Sequence, residues 1–197
     1  RLKAKYAELC SEPEVLCSEG CQLADTTEAM IAQAQSLQID KRQAADGEDI
    51  VGLQELITYG LKGAAAYADH AYVLDVADDA VFATFNEILD YLAGNPKDVG
   101  ELTATALKVG DLNMKVMELL DKGNTETFGH PEPTPVNIAP VAGKCILVSG
   151  HDLKDLLELL QQTEGKGVNV YTHGEMLPAC AYPELKKFPH LVGNYGG

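Results

Sequence analysis

Apolar positions recur every three or four residues along most of the first 120 residues. The longest such stripe runs from Ile50 to Leu74, and a second runs from Asp79 to Leu92. This period is typical of amphipathic helices. Two further stripes predict helices from about Asp25 to Gln43, opened by a capping-box sequence, and from about Lys97 to Asp121. Four helices with short breaks and no strand signal between them predict an antiparallel bundle.

The pattern changes after residue 124. Residues 125–142 contain four prolines and no periodicity, which is typical of an extended connector. Beyond them, Lys144–Ser149 and Val168–Thr172 are short runs rich in β-branched residues, and the leucines of Leu153–Leu160 follow helical spacing. A strand, a helix and a strand of these lengths predict a βαβ unit with parallel strands and a right-handed crossover.

The chain therefore has three predicted parts: a helical bundle domain at 1–124, a proline-rich connector at 125–142 and the first part of an α/β domain at 143–197. The predicted fold class is α plus α/β, a helical bundle followed by the start of a parallel-sheet, Rossmann-like domain. Two strands are too few for an independent sheet, so we expect partner strands downstream. The chain lacks an initiator Met and ends on a glycine-rich turn, so we expect both ends to be cut.

Two side chains with metal-binding or acid–base chemistry follow the ends of the two predicted strands. His151 lies just past the first strand and Glu175 just past the second. Neighbouring strands lie about 5 Å apart, and open parallel sheets bind ligands outside this edge. The two residues are a candidate pair of metal ligands or an acid–base pair. Alternatively, His151 is a loop residue beside an N-capping Asp152, and Glu175 is a solvated loop carboxylate.

Charge and hydropathy exclude several classes of partner. The 197 residues include 30 acidic and 15 basic side chains, a net charge of −15, which argues against a nucleic-acid or anionic-membrane surface. The chain contains no run of about 18 apolar residues, so the sequence predicts no transmembrane helix. The first ten residues are charged and polar where a signal peptide has its apolar core. We therefore expect neither nucleic acid nor membrane as a partner.

The five cysteines include a cluster of three near the start of the chain. Cys10, Cys17 and Cys21 are close enough in sequence to hold zinc or an iron–sulfur cluster. Their C-x6-C-x3-C spacing matches no established ligand pattern and a fourth ligand is missing, so three ordinary thiols are the alternative. An odd number of cysteines without a signal sequence indicates a reducing compartment, which predicts a cytoplasmic protein.

Several long motifs resemble one protein family in the same order. LQELITYGLKGAAAYADHA, LNMKVMELLDKGNTETFGHPEPT, GKCILVSGHDLKD and the segment from SGHD to the final glycine resemble the hybrid cluster proteins, also called prismane proteins or hydroxylamine reductases. The resemblance covers residues 50–197. It implies a helical domain followed by two α/β domains, related in fold to nickel carbon monoxide dehydrogenases. It also implies a conventional iron–sulfur cluster (4Fe–4S or 2Fe–2S) near the N-terminus and a buried hybrid iron–sulfur–oxygen cluster.

The same resemblance assigns roles to individual residues. The histidine of SGHD falls on His151 and the glutamate of THGE on Glu175, so both are expected to bind hybrid-cluster iron. The intact protein would reduce hydroxylamine to ammonia, or a related nitrogen oxide such as nitric oxide, with electrons from a redox protein. His173 is a candidate proton donor, with a packing role as the alternative. Cys180 stands where relatives often have histidine, and it is not assigned as a ligand.

The chain departs from the family at its start, where the usual early C-x-x-C is absent. The resemblance places the remaining hybrid-cluster ligands beyond Gly197, so we expect this piece to be inactive alone. Two other functions stay open. One is a carbon monoxide dehydrogenase-like protein with a nickel–iron–sulfur ligand set downstream. The other is a non-catalytic fragment whose helices only mediate association.

Overall fold

The apolar stripes of the first 120 residues form helices. A computed structural model describes residues 24–36 and 38–197, without the side chain of Ser36. The candidate ligands Cys10, Cys17 and Cys21 lie outside these residues. The described residues divide between Leu53 and Gln54 into two compact units. Among them, no helix is both long and apolar enough to cross a membrane.

The described residues of the first unit contain two short helices where the sequence predicts one. Helix α1 is Thr27–Ser36 and helix α2 is Ile39–Asp46. The prediction of one continuous helix from Asp25 to Gln43 is wrong, because Gln38 has an extended backbone (φ −63°, ψ 142°) that a helix cannot include. Gly47 follows α2 with φ +92°, a conformation that favours glycine.

Three long helices precede the sheet. Helix α3 is Glu48–Tyr72, helix α4 is Asp79–Ala93 and helix α5 is Val99–Phe128. The carboxylates of Asp78 and Asp98 cap α4 and α5 by accepting backbone N–H groups at 2.8 Å each. Their apolar faces are buried in the second unit, as the stripes predict. The buried residues are Ile57, Leu61, Ala64 and Ala68 of α3, Val81 and Ile88 of α4, and Leu102, Val109, Leu112 and Val116 of α5.

Helix α5 extends beyond its predicted end near Asp121. Gly123 is buried inside the helix, and a Cβ there would lie 3.3–3.5 Å from side-chain atoms of Leu74 and Val76. This glycine therefore allows close packing and does not stop the helix. The helix ends instead at Phe128, and Gly129 follows it with φ +83°. Residues 125–128 of the predicted connector consequently belong to α5, and the proposed domain boundaries remain predictions.

The α/β part contains the predicted βαβ unit and one more strand. Strand β1 is Lys144–Ser149, helix α6 is Leu153–Thr163 and strand β2 is Val168–His173. A 3₁₀ helix at Gly174–Ala181 and a short helix α7 at Pro183–Lys186 lead to strand β3 at Leu191–Asn194. The strands pair in parallel in the order β1-β2-β3. The predicted fold class, α plus α/β with a parallel sheet after the helices, is confirmed.

The sequence does not predict strand β3, because its four residues include a glycine and overlap the predicted glycine-rich turn. Gly193 has φ +159°, and a Cβ at this position would lie 2.0 Å from the carbonyl oxygen of Asn137. The neighbouring Asn194 N–H donates to that same oxygen at 2.9 Å. The absence of a side chain at Gly193 thus allows the connector to approach the edge strand closely.

One hydrophobic core joins the end of α5 to the sheet. Phe128, the last residue of α5, is fully buried with Leu156 and Leu160 of α6, Val170 of β2 and Met176 of the 3₁₀ helix. In addition, the ammonium group of Lys154 donates to the Val73 carbonyl at 2.8 Å, just past the end of α3. Helices α3 and α5 are thereby held against the edge of the sheet where β1 and β2 end.

Candidate metal centre

The two candidate ligands occupy equivalent positions after paired strands. The register of β1 and β2 places Ser149 opposite His173, the last residue of each strand. A glycine follows in both cases, with φ +127° at Gly150 and φ +55° at Gly174. Both values lie in the region that glycine adopts without a steric penalty, so the backbone turns sharply after each strand. His151 and Glu175 come next in the chain.

This arrangement brings the imidazole of His151 and the carboxylate of Glu175 into direct contact. His151 Nε2 pairs with Glu175 Oε2, and the side chains are 48 % and 80 % exposed. The contact agrees with the strand pairing predicted from the sequence. Their role as iron ligands remains a prediction, because proximity alone also fits a simple surface ion pair.

Asp152 caps helix α6, as predicted in the alternative interpretation of His151 as a loop residue. Its carboxylate accepts the backbone N–H groups of Lys154 at 2.8 Å and Asp155 at 3.1 Å. This cap does not use the His151 side chain. It fixes the backbone immediately after His151, so the imidazole projects from a turn with little freedom. Capping and metal binding are therefore compatible at this turn.

His173 has a neighbour of its own at the end of β1. Its Nδ1 lies 3.1 Å from the hydroxyl oxygen of Ser149, its partner in the strand register. A Cβ on Gly196 would lie 3.0 Å from His173 Nε2, so the C-terminal backbone packs against the other side of the ring. The ring is half-buried and held on both sides, an arrangement compatible with packing and with proton donation.

A cavity of about 290 Å³ opens beside the His151–Glu175 pair. Helices α3 and α5 also line it, and their lining residues include His70, Asp121 and Asn124. Tyr182, which follows the 3₁₀ helix, also lines it. Burial raises the pKa of the Tyr182 hydroxyl, and the negative charge of Asp121 raises it further. No sequence pattern indicates Asp121, Asn124 or Tyr182, because only tertiary packing brings them to this cavity.

Whether a metal fits here depends on which side chains could bind it. Neutral imidazole nitrogen and carboxylate oxygen are both suitable ligands for iron. However, residues 24–36 and 38–197 contain no group of three or more His, Cys, Asp or Glu side chains that could hold a metal ion. The thiols of Cys145 and Cys180 are free, and the latter is buried, with its sulfur 3.5 Å from the Thr172 hydroxyl. The pair thus fits part of a ligand set, which other donors must complete.

Comparison with known proteins places the chain in a family. Residues 3–197 match the model of the "Prismane/CO dehydrogenase family". Over 164 residues, 83 % of this chain and 30 % of the relative, it is 58 % identical to a hydroxylamine reductase of Enterobacter sp. (strain 638). Over 171 residues, 87 % of this chain and 31 % of the relative, it is 55 % identical to a hydroxylamine reductase of Actinobacillus succinogenes.

The chain thus spans about a third of the length of these curated relatives. The matched residues include both paired strands and the two side chains that follow them. The resemblance identified from the motifs is therefore confirmed, and the chain belongs to the Prismane/CO dehydrogenase family.

Proposed function

We propose that the whole protein to which this chain belongs is an iron–sulfur oxidoreductase that reduces hydroxylamine to ammonia. The observation that carries this proposal is the contact between His151 and Glu175 at the ends of paired strands. It occurs in a chain that is 55–58 % identical to proteins named hydroxylamine reductase. Because the chain covers about a third of those relatives, the activity belongs to the whole protein. We expect the 197-residue chain alone to be inactive.

His151 and Glu175 would supply two ligands to a hybrid iron–sulfur–oxygen cluster. Bound there, the cluster would supply electrons and an exchangeable coordination position. The chain's own contribution is to fix the two donors. The left-handed glycines and the Asp152 cap hold the backbone on either side, and the contact between the two side chains would give way to bonds with iron. A neutral His151 is required, because a protonated imidazole cannot bind metal.

The reaction also needs protons and electrons. Reduction of hydroxylamine breaks the N–O bond and consumes two electrons and two protons, giving ammonia and water. His173 is our candidate for a proton donor, since Ser149 fixes one ring nitrogen and thereby the orientation of the ring. A separate redox protein would deliver electrons through a 4Fe–4S or 2Fe–2S cluster held in part by Cys10, Cys17 and Cys21. The free thiols of Cys145 and Cys180 are consistent with the reducing, cytoplasmic location that we propose.

A second candidate is a carbon monoxide dehydrogenase-like activity. The description of the matching family names that enzyme beside prismane, which is the observation that favours it. The metal content separates the two functions, because the carbon monoxide enzyme requires nickel. Nickel in stoichiometric amount with carbon monoxide oxidation would support the second candidate. Iron and sulfide without nickel, with hydroxylamine reduction, would support the first.

The ligand roles are tested with variants of the whole protein purified without oxygen. We expect His151→Ala and Glu175→Gln to lose the hybrid-cluster signal in electron paramagnetic resonance and to lose hydroxylamine reduction. The signal of the conventional cluster should persist. The matched control is His130→Ala, since His130 is exposed in the connector and does not line the cavity beside the His151–Glu175 pair. An unchanged spectrum in His151→Ala would show that this residue is not a ligand.

Iron and acid-labile sulfide should also be measured in the whole protein and in the 197-residue chain. Iron in the whole protein with almost none in the short chain supports a cluster whose ligands come partly from this chain and partly from the rest of the whole protein. Iron in the short chain would indicate that Cys10, Cys17 and Cys21 form a site. Absence of iron from both would favour the non-catalytic alternative, and hydroxylamine turnover by the short chain would refute its predicted inactivity.

A further inference from the structure

The cavity beside His151 and Glu175 has polar groups that the proposed ligand chemistry does not use. The Tyr182 hydroxyl and the Asp121 carboxylate both line it, and they come from different elements of the fold. Within the described residues, neither group is hydrogen-bonded to another side chain or to the backbone. Unpaired polar groups that converge on a pocket beside a candidate metal centre are typical of a binding site for a small molecule.

Tyr182 is held in place from several sides. Its carbonyl oxygen accepts the N–H groups of Leu185 at 3.1 Å and Lys186 at 2.9 Å, which fixes the backbone at the start of α7. Its ring packs edge-on against the fully buried Phe128, with 6.1 Å between ring centroids. A tyrosine with so little freedom can present its hydroxyl to a ligand without a large loss of side-chain entropy.

Asp121 is the second polar group that lines the cavity. It lies on α5, one turn before Asn124, and its negative charge acts on Tyr182 through space. Both influences on Tyr182 raise its pKa, so the hydroxyl keeps its proton at neutral pH and can donate it in a hydrogen bond. The cavity therefore offers one donor and one charged acceptor beside the His151–Glu175 pair.

We propose that this cavity binds hydroxylamine before reduction, with Tyr182 donating a hydrogen bond to the substrate oxygen and Asp121 accepting one from its nitrogen. This inference rests on the proposed function, which it deepens. Hydroxylamine is small, uncharged and carries both donors and acceptors, so it matches the two groups. The carboxylates of Asp121 and Glu175 disfavour anions, so the cavity selects hydroxylamine against nitrite.

The first test is kinetic and uses the whole protein. Tyr182→Phe keeps the ring contact with Phe128 and removes only the hydroxyl. The loss of one net hydrogen bond corresponds to about a fivefold rise in KM for hydroxylamine, with kcat within about twofold of the parent. Tyr59→Phe is the matched control, because Tyr59 is 60 % exposed and lies outside the cavity. An unchanged KM in Tyr182→Phe overturns the proposal, whatever its kcat.

A second variant tests the proposal independently in case Tyr182→Phe does not fold. Asp121 is exposed at the surface of α5, so Asp121→Leu is not expected to disturb the core. It should also raise the KM for hydroxylamine, since the charged acceptor is lost. Iron content and the resonance signals of both clusters should match the parent protein in both variants. A KM equal to that of the parent in Asp121→Leu also contradicts the proposal.

The third test does not depend on activity. In the whole protein labelled with ¹³C at tyrosine Cζ and kept without an electron donor, the Tyr182 signal is assigned by comparison with Tyr182→Phe. Hydroxylamine should shift that signal in a saturable way, whereas sodium nitrite should not, and Tyr59 should respond to neither. A Tyr182 signal that ignores hydroxylamine overturns the proposal. If the whole protein fails to reduce hydroxylamine, the proposed function fails, and this titration still decides whether the cavity binds it.

Discussion

The close approach of α3 and α5 gives a quantitative prediction about two glycines of α3. A Cβ on Gly60 would lie 2.8 Å from Val109 Cγ1 on α5, whereas a Cβ on Gly63 would meet nothing within 4 Å. Both glycines lie in the interior of the same helix. Substitution by alanine therefore gives both the same gain in helix propensity, and only Gly60→Ala creates a steric conflict.

The two effects can be estimated separately. Alanine is more favourable than glycine inside a helix by about 1 kcal/mol, so Gly63→Ala should raise the free energy of unfolding by about that amount. Overpacking of a well-packed core costs about 1–3 kcal/mol. Val109 is buried and β-branched, so its χ1 angle cannot change freely to make room. Gly60→Ala should therefore be less stable than Gly63→Ala by about 1–3 kcal/mol.

The assay is urea unfolding of the 197-residue chain, followed by circular dichroism at a helical wavelength. The double variant Gly60→Ala/Val109→Ala completes a mutant cycle, in which removal of the Val109 methyl groups should recover part of the loss. A coupling energy of about 0.5–3 kcal/mol is expected for residues in such contact. Equal stability of Gly60→Ala and Gly63→Ala, with no coupling to Val109, would refute the inferred packing of α3 on α5.

Two further predictions concern the region around the candidate metal centre. Asp152→Ala removes the cap of α6 and should lower the free energy of unfolding by about 1 kcal/mol, measured against Glu158→Ala, an exposed substitution on the same helix that should have little effect. The pKa of Tyr182 is raised, so the native chain holds this proton to higher pH than the unfolded chain does. The stabilisation linked to this proton should therefore be fully present below the unfolded pKa of about 10. It should be lost as the pH rises through the native pKa. Asp121→Asn should lower the pKa of Tyr182 part of the way in a tyrosine-resolved titration, and an unmoved pKa would contradict the influence of Asp121.

The placement of His151 and Glu175 could be predicted because it depends on local patterns. Two β-branched runs and one leucine-rich helix are enough to predict a βαβ unit, and parallel pairing then places the residues after both strands at one edge. Asp121 and Tyr182 had no comparable signal. They are 61 positions apart in the chain, and only the core around Phe128 brings α5 and the start of α7 to the same cavity.

Two of the incorrect predictions, the end of α5 and the absence of β3, have a common physical cause. Glycine can end a helix, admit a neighbouring helix or allow a backbone to approach closely, and sequence alone does not distinguish these uses. Gly123 lies just beyond the predicted end of the helix near Asp121, yet it is inside α5 and admits the side chains of Leu74 and Val76. Gly193 lies in the glycine-rich turn predicted at the end of the chain, yet it allows the contact with Asn137 that accompanies β3. In both cases the deciding partner is distant in the chain.

The matched turns at Gly150 and Gly174 have a consequence for how the pair can vary. The separation of His151 and Glu175 is set by the hydrogen-bond ladder between β1 and β2 and by one glycine after each strand. The eleven residues of α6 connect the strands without determining that separation. The crossover can therefore change in length or composition while the pair keeps its geometry, so long as the helix still covers the sheet. Two short segments, each made of a strand, a glycine and one of these two side chains, form a transferable unit that could be grafted onto other parallel sheets.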